Sequence, residues 1–380
     1  MSNIPEDLVM NVLSRLRVKS LLRFRSVSKS WRTLIDSPTF IKMHMERSMK
    51  IGSTVEVIHR RNLKKFYSLH LDLSGNPVRD PEELPHPFGY RYDLEDSVVF
   101  EIHLVGSCNG VLCFVDSARR IVLWNLATRK YFEIQYLRIE TPKFANFYYL
   151  VNYGFGYDCV TDDYKVIRLI TTYNGISECY LVEVYSLKSD SWTRFEDLVG
   201  NTYRDNHGIL VSGALHWIRD DNESPIVAFD LTEEEFNVVP CPDLSGRHCW
   251  KNLGIVRGCL CFFCDYPMLH AELWVMKDHG IKESWTKVFT ESKSPIHYMR
   301  PIDHSKSKIT VVSEVNNKKL AWCNFEQKSI TNNAPIRYIN TICAVRSLEA
   351  CANYDSLVGT SWKRHDGIAR SSTKKSCKEF

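Results

Sequence analysis

The chain has 380 residues, of which 44% are hydrophobic and 12% aromatic, so its composition is that of a folded protein and not of a disordered one. At this length two domains are expected. The 49 basic and 45 acidic residues leave a net charge of +4, which is too small to indicate nucleic acid as a main partner.

The sequence also indicates a cellular compartment. The N-terminal residues lack the basic and apolar regions of a secretory signal, and no run of about 18 apolar residues predicts a membrane helix. The 13 cysteines are odd in number and scattered, so we expect reduced thiols. The expected location is the cytoplasm, the nucleus or both, without membrane insertion.

The first forty residues predict three short helices. Asn3 and Glu6 have the spacing of a capping box, and Leu8, Val12 and Leu16 then recur every four residues on one helical face. A unit this small cannot bury all of its leucines and a tryptophan by itself. Its apolar face therefore packs against a partner protein or against the rest of this chain.

This segment resembles an F-box. The matching strings run in order and without gaps: Ile4-Pro5, Asp7-Leu8, Val12-Leu13, Arg15-Leu16, Lys19 to Arg25, Val27 to Trp31, Leu34-Ile35 and Ser37 to Phe40. The resemblance implies docking to a Skp-type adaptor and, through it, to cullin and RING subunits of a ubiquitin ligase. The residues expected to build the adaptor-binding module are Ile4, Pro5, Leu8, Val12, Leu16, Leu21, Leu22, Val27 and Trp31. Arg17 departs from the motif, which generally has proline there, and whether it weakens adaptor binding stays open.

Beyond residue 50 the sequence predicts β-structure with a recurring pattern. An aliphatic strand, a polar turn and a second strand that begins with a bulky residue, usually aromatic, together read as a β-hairpin. The pattern occurs at 121–132, 182–192, 226–236, 272–288 and 320–330. Glycine followed by a short apolar strand precedes three of these hairpins, at 110–115, 213–218 and 258–263. Four strands every ~45 to 55 residues suit the blades of a β-propeller.

The same region resembles the F-box-associated domain of plant F-box proteins, which is related to kelch repeats. The strings that carry the resemblance are 106–112, 124–129, 154–158 with 162–166, 284–288 and 298–301. The fold class expected is therefore mainly β, with a three-helix F-box before a propeller-like domain of kelch-related blades whose number stays open. The predicted boundaries are 1–45 for the F-box, 50–355 for the propeller-like domain and 360–380 for a basic, disordered tail.

The motifs that could indicate catalysis or cofactor binding are explained more simply by structural roles. Cys249, Cys259, Cys261 and Cys264 fit core positions better than a zinc site, because no CxxC pair recurs. Gly154-Phe155-Gly156 lacks the third glycine of a dinucleotide loop and predicts a β-turn. We therefore expect no metal, no cofactor and no catalytic residue.

The resemblance implies a non-catalytic substrate-recognition subunit of a Skp-cullin-F-box ubiquitin ligase, and within the family the chain is similar to negative regulators of plant defence. Targets of related domains include immune receptors, but the target of this chain cannot be read from its sequence. A stand-alone propeller enzyme and a scaffold that recruits no degradation target remain alternatives. Clustered aromatics favour target binding by the segment 136–151, through Phe144, Phe147, Tyr148 and Tyr149. Equally, these aromatics could close the core of the domain.

Overall fold

Four helices precede the strands in the computed structural model. They are α1 (Glu6–Leu13), α2 (Val18–Phe24), α3 (Lys29–Ile35) and α4 (Pro38–Ile51). The structure describes residues 5–16, 18–51, 54–60, 65–72, 80–88, 101–135, 148–173, 178–196, 207–219, 226–244, 249–292, 299–301, 310–315, 319–324, 329–331, 342–345 and 362–364.

The strands, in chain order, form a mainly β domain. They are β1 (Thr54–Arg60), β2 (Phe66–Asp72), β3 (Glu82–Glu83), β4 (Ile102–Cys108), β5 (Val111–Asp116), β6 (Ile121–Asn125), β7 (Lys130–Ile134), β8 (Tyr148–Asp158), β9 (Asp163–Tyr173), β10 (Glu178–Ser186), β11 (Ser191–Glu196), β12 (Ile209–Val211) and β13 (Ala214–Ile218). They continue as β14 (Ile226–Asp230), β15 (Phe236–Val239), β16 (Trp250–Val256), β17 (Cys259–Tyr266), β18 (His270–Met276), β19 (Trp285–Ser292), β20 (Met299–Pro301), β21 (Thr310–Val315), β22 (Lys319–Asn324), β23 (Ser329–Thr331), β24 (Ile342–Val345) and β25 (Lys363–Arg364).

The helices begin and end where side chains can bond their backbone. Ser28 caps α3 by accepting a hydrogen bond from the Trp31 N–H at 3.1 Å. Pro5, and not Asn3, occupies the N-cap position of α1, without a side-chain cap bond, so the predicted capping box does not form there. Asn3 itself lies outside the described residues.

A fourth helix extends the helical module beyond the three that the sequence predicted. Pro38 disfavours helical geometry at Ser37, which ends α3, yet proline is well suited to the first turn of the next helix. The Phe40 N–H donates to Ser37 Oγ at 3.3 Å, so this serine caps α4. His44 on α4 is buried and places Nε2 2.8 Å from the Leu16 carbonyl oxygen, which ties α4 to the segment after α1.

In the described residues the strands form six antiparallel sheets, numbered here in order along the chain. Sheet 1 has the order β24-β1-β2-β3 and sheet 2 the order β25-β7-β6-β5-β4, whereas sheets 3 to 6 are the four-strand meanders β8–β11, β12–β15, β16–β19 and β20–β23. Each hairpin predicted from the sequence forms the third and fourth strands of a meander. Each predicted glycine-led strand is its second strand, so the expected four-strand unit is confirmed.

Two-residue turns join the first and second strands in sheets 2, 4 and 5. Both residues of each turn have positive φ, as a type I′ turn requires. The pairs are Asn109-Gly110, Ser212-Gly213 and Arg257-Gly258, with φ between 50° and 81°. Glycine is needed at the second position because it adopts this conformation without steric cost, and this explains why a glycine leads each of these strands.

The meander order fixes which parts of the chain share a side of the domain. In sheets 2 to 6 the first strand lies innermost, and the innermost strands contact one another from sheet to sheet. The start of that strand, the turn between strands two and three, and the end of strand four all lie at one edge of a sheet, called here the loop end. The strands β7, β11 and β15 end here, and the strands β8, β12 and β16 begin here. At the opposite edge, called here the helical end, α4 leads into β1 after only two residues.

Glycines on innermost strands let neighbouring sheets approach closely. A Cβ at Gly154 would lie 2.6 Å from Cζ2 of Trp217, and one at Gly156 would lie 2.7 Å from Cδ1 of Leu231. Both glycines lie inside β8, so the predicted β-turn at Gly154-Phe155-Gly156 is wrong. Because the two glycines are two residues apart on a strand, both lie on the same face of β8, the face that meets sheet 4.

Tryptophans of the repeating pattern are structural. Trp124 and Trp217 are almost completely buried, and Trp285 is 8% exposed. Trp285 Nε1 donates to the Pro240 carbonyl at 2.8 Å, and Trp192 Nε1 donates to the Gln135 carbonyl at 3.2 Å. Both bonds join the fourth strand of one sheet to the residue that follows the fourth strand, in chain order, of the preceding sheet. These two tryptophans therefore link adjacent sheets.

The C-terminal part of the chain returns to the propeller at two places. β24 becomes the innermost strand of sheet 1 by pairing with β1, and this pairing closes the ring of sheets. Further on, β25 pairs with β7 at the outer edge of sheet 2, and Trp362 packs on Phe132 with ring centroids 6.0 Å apart. Residues 362–364 of the predicted disordered tail therefore lie on the domain, because Trp362 is apolar enough to be held there. Residues 365–380 lie outside the described residues.

Two truncated chains distinguish the contribution of β24 to the stability of the propeller from that of β25. A chain that ends at residue 341 lacks β24 and loses the backbone hydrogen bonds that close the ring, so we expect it to unfold or to be digested rapidly by trypsin. A chain that ends at residue 361 lacks only β25 and the Trp362 contact, and we expect it to stay folded with a reduced Tm. Equal proteolytic resistance of the two truncated chains would show that β24 does not close the domain.

Candidate functional site: two interaction surfaces

The helical module leaves apolar side chains exposed on one of its faces. Leu8 and Val12 are one helical turn apart on α1 and are 56% and 61% exposed, while Val27, between α2 and α3, is 63% exposed. Pro5 is also exposed, and the charged side chains of Glu6 and Asp7 border the face. An apolar centre with a charged rim is the usual composition of a protein-binding surface.

The other predicted adaptor-binding residues form the core that supports this face. Leu21 is completely buried with Leu13, Ile35 and Phe40, whereas Leu16 and Leu22 pack at the edge of that core. Trp31 is half-buried and meets the ring of Phe24 edge-on, at a centroid distance of 5.5 Å. The sequence alone did not distinguish these supporting residues from the exposed ones. Ile4 and Arg17 lie outside the described residues.

Polar bonds hold the helices in a fixed arrangement. The Arg25 guanidinium donates to the Asp36 carboxylate at 2.6 Å, which joins the end of α2 to the end of α3. Arg47 on α4 donates to Asn11 and Ser14 at 3.3 Å and 3.2 Å. Ala127, in the turn between β6 and β7, packs on the helical core. This turn lies at the helical end of sheet 2, so the module rests on that end of the propeller.

A second exposed apolar surface lies at the loop end of sheet 5. Trp250, the first residue of β16, is 53% exposed, and Met268 and Leu269, in the turn between β17 and β18, are 94% and 46% exposed. Trp250 pairs with Asp265, which precedes that turn by two residues, so the three side chains belong to one edge. This surface could not be predicted from the sequence, because its residues are separated along the chain and become neighbours only through strand pairing.

The aromatic residues predicted to bind a target are only partly described. Phe144 and Phe147 lie outside the described residues. Tyr148 and Tyr149 are the first two residues of β8, where their backbones pair with Tyr173 and Thr172. This position places the start of β8 at the loop end, on the same side of the propeller as Trp250.

Three of the four cysteines considered as metal ligands lie on β17, and Cys249 directly precedes β16. Cys261 and Cys264 are buried in β17, and burial raises the pKa of both thiols. A raised pKa favours the protonated thiol over the thiolate that binds metal. Within the described residues, no three histidine, cysteine or acidic side chains are grouped so that they could hold a metal ion. Nor does any described helix have the length and apolarity needed to cross a membrane.

Comparisons with known proteins match this two-part architecture. Residues 1–43 match the F-box domain, and residues 56–357 match the F-box associated beta propeller domain. The chain belongs to the F-box proteins that carry this propeller. Among similar proteins of Arabidopsis thaliana, F-box protein CPR1 is 33% identical over 87% of this chain and 84% of its own length. F-box/kelch-repeat protein At3g23880 is 31% identical over 76% of this chain and 79% of its own length. Whether the blades of this F-box protein are of the kelch type stays a prediction.

Two single leucine substitutions test which side chains belong to the core of the helical module and which belong to its exposed face. Leu21→Ala removes a fully buried side chain, and we expect it to lower the free energy of unfolding of the helical module by ~2–5 kcal/mol. Leu8→Ala removes an exposed side chain and should change it by less than about 0.5 kcal/mol. Hydrogen exchange of the α2 and α3 amides measures both effects within the whole chain. Similar protection in the two variants would contradict this division between core and surface.

Proposed function

We propose that this F-box protein is the substrate-recognition subunit of a Skp-cullin-F-box ubiquitin ligase. The observation that carries the proposal is the exposure of Leu8, Val12 and Val27 on a module whose other described apolar side chains are buried or partly buried. Such a patch of apolar side chains is stabilised when a partner covers it. A Skp-type adaptor is the partner that F-box domains imply, and it would connect the chain to cullin and RING subunits.

The propeller would hold the target at the end away from the adaptor. The helical module rests on the helical end through Ala127, while Trp250, Met268 and Leu269 are exposed at the loop end. A target bound there would leave the adaptor face accessible. The contribution of this chain is then proximity, because a target held beside the transfer machinery reacts at a high effective concentration. The chemistry belongs to other subunits.

We also propose a role in plant defence, with an immune receptor as the target. Support comes from the sequence resemblance to F-box regulators of defence and from the similarity to CPR1 along most of both chains. The proposed location is the cytoplasm, the nucleus or both. Proteomics with proteasome inhibition, comparing the intact chain with one that lacks residues 1–45, would identify proteins whose abundance depends on the F-box. If no immune receptor is among them, the defence proposal fails while the ligase proposal stands.

Adaptor binding depends on the exposed apolar pair of α1. The double variant Leu8→Ser and Val12→Ser should lose co-purification with a Skp-type adaptor, because buried apolar anchors typically contribute ~2 kcal/mol or more each to binding. Its Tm should change little, since neither side chain belongs to the core. Val238→Ser is the matched control, because Val238 is 54% exposed on the outer strand β15. Full adaptor binding by the double variant would place the docking surface elsewhere.

Target capture depends on the loop end. Trp250→Ala with Met268→Ala should reduce the recovery of target proteins by pull-down and leave adaptor binding unchanged. The matched control is Ile281→Ala, since Ile281 is 51% exposed at the helical end of the same sheet. An unchanged set of captured proteins would mean that recognition uses another surface. If targets are captured but are not degraded faster, the chain acts as a scaffold and not as a degradation receptor.

A further inference from the structure

Three cysteines from different elements share the hydrophobic core between sheets 4 and 5. Cys249 and Cys264 are buried in this core, and Cys241 is partly buried against it. Cys241 follows β15, Cys249 directly precedes β16, and Cys264 lies on β17. All three are free thiols. Thiols grouped in this way can react with one another, and their placement and acidity decide which pair does so.

Cys249 and Cys264 face the same side of sheet 5. Lys251 pairs with Cys264 across β16 and β17. Paired residues point to the same face, and so do side chains two residues apart on a strand. Cys249 is two residues before Lys251, so its thiol lies diagonally across from that of Cys264, close enough for the two to share a hydrogen bond. A disulfide forms only between side chains that face each other at short range, and this pair meets that requirement.

Cys249 has the properties of the thiol that reacts first. The hydrogen bond from Cys264 lowers the pKa of Cys249, and the Lys251 ammonium group acts in the same direction. Burial and the carboxylates of Asp265 and Glu272 oppose this shift without reversing it. A lower pKa increases the fraction of thiolate, which is the nucleophilic form of cysteine. Cys249 is also 5% exposed, whereas Cys264 is completely buried, so a small oxidant reaches Cys249 first.

Cys264 has the properties of a resolving thiol. Burial raises its pKa, so it keeps its proton and donates the hydrogen bond to Cys249. Cys241 also keeps its proton, because burial raises its pKa to about 12. Redox-sensitive cysteines are typically low-pKa thiols beside a second cysteine that can complete a disulfide. Cys249 and Cys264 match this arrangement.

We propose that Cys249 and Cys264 are a redox pair that forms a reversible disulfide when hydrogen peroxide oxidises the chain. The Cys249 thiolate attacks one peroxide oxygen and the O–O bond breaks, which leaves a sulfenic acid and a hydroxide that takes up a proton to become water. The Cys264 sulfur then attacks the sulfenic sulfur. The S–S bond forms, the S–OH bond breaks, and the hydroxide leaves with the Cys264 proton as a second water. The inference does not rest on the proposed ligase function.

Peptide mapping of the full chain tests the proposal. The reduced chain is treated with hydrogen peroxide, the remaining thiols are alkylated, and trypsin digestion follows without reductant. Trypsin leaves Cys249 in peptide 248–251 and Cys264 in peptide 258–277. We expect these peptides to be linked, with a mass lower than their sum by two hydrogen atoms, and to separate in dithiothreitol. Fragmentation of the linked species should place the bond on Cys264 and not on the other cysteines of peptide 258–277.

Two serine variants are compared with the natural chain. Cys249→Ser removes the nucleophile and should lower the yield of disulfide from peptide 258–277 by about tenfold or more. Cys259→Ser is the matched control, because Cys259 lies on the same strand β17 and is partly exposed. This control should form the Cys249–Cys264 bond like the natural chain. Tm in the reduced state shows whether each variant folds, and the map of the natural chain tests the proposal even if neither does.

Three results overturn the proposal. The first is that peptides 248–251 and 258–277 are not linked in the oxidised natural chain. The second is that Cys249 is linked instead to peptide 220–247, which contains Cys241. The third is an equal yield of the Cys249–Cys264 bond in a chain unfolded by guanidinium chloride, because this would show that the fold does not select the pair.

Discussion

Pairing between β24 and β1 is the contact on which the rest of the domain depends. The four residues Ile342–Val345 supply the innermost strand of a sheet whose other strands come from the beginning of the propeller. An open array of sheets would leave strand edges unpaired and inner faces exposed to water. Once the ring is closed, the innermost strands lie close together, and Trp217, Asn252 and Arg300 from three sheets line one small pocket.

The closed ring also separates the two interaction surfaces. The innermost strands of sheets 2 to 6 all begin at the loop end, and the helical module occupies the other end. Only residues 52 and 53 lie between α4 and β1, and Ala127 packs on the helical core, so the helical module and the helical end of the propeller meet at two places. In the proposed function, an adaptor and a target would therefore be bound at opposite ends of the propeller.

The sequence predicted elements whose signals are local. Gly110, Gly213 and Gly258 marked turns that need positive φ, and strand periodicity located the hairpins around them. The sequence did not predict elements whose position depends on contacts between distant parts of the chain. The role of β24 depends on a strand nearly 300 residues away, and α4, which begins at Pro38, lies beyond the three helices that the sequence predicted. At the candidate site, the list of apolar F-box residues was predictable, but the exposure of Leu8 and the burial of Leu21 depend on how the helices pack together.

The C-terminal origin of β24 has a consequence for biosynthesis. On the ribosome, β1 emerges about 280 residues before its partner, a delay on the order of tens of seconds at typical translation rates. During that time the nascent sheet 1 presents an unpaired edge, the kind of surface that associates with other extended chains. Production of this F-box protein would therefore draw on chaperones until the last tenth of the chain is made. A premature stop codon before residue 342 would yield a product that quality control removes, even though it contains the intact helical module.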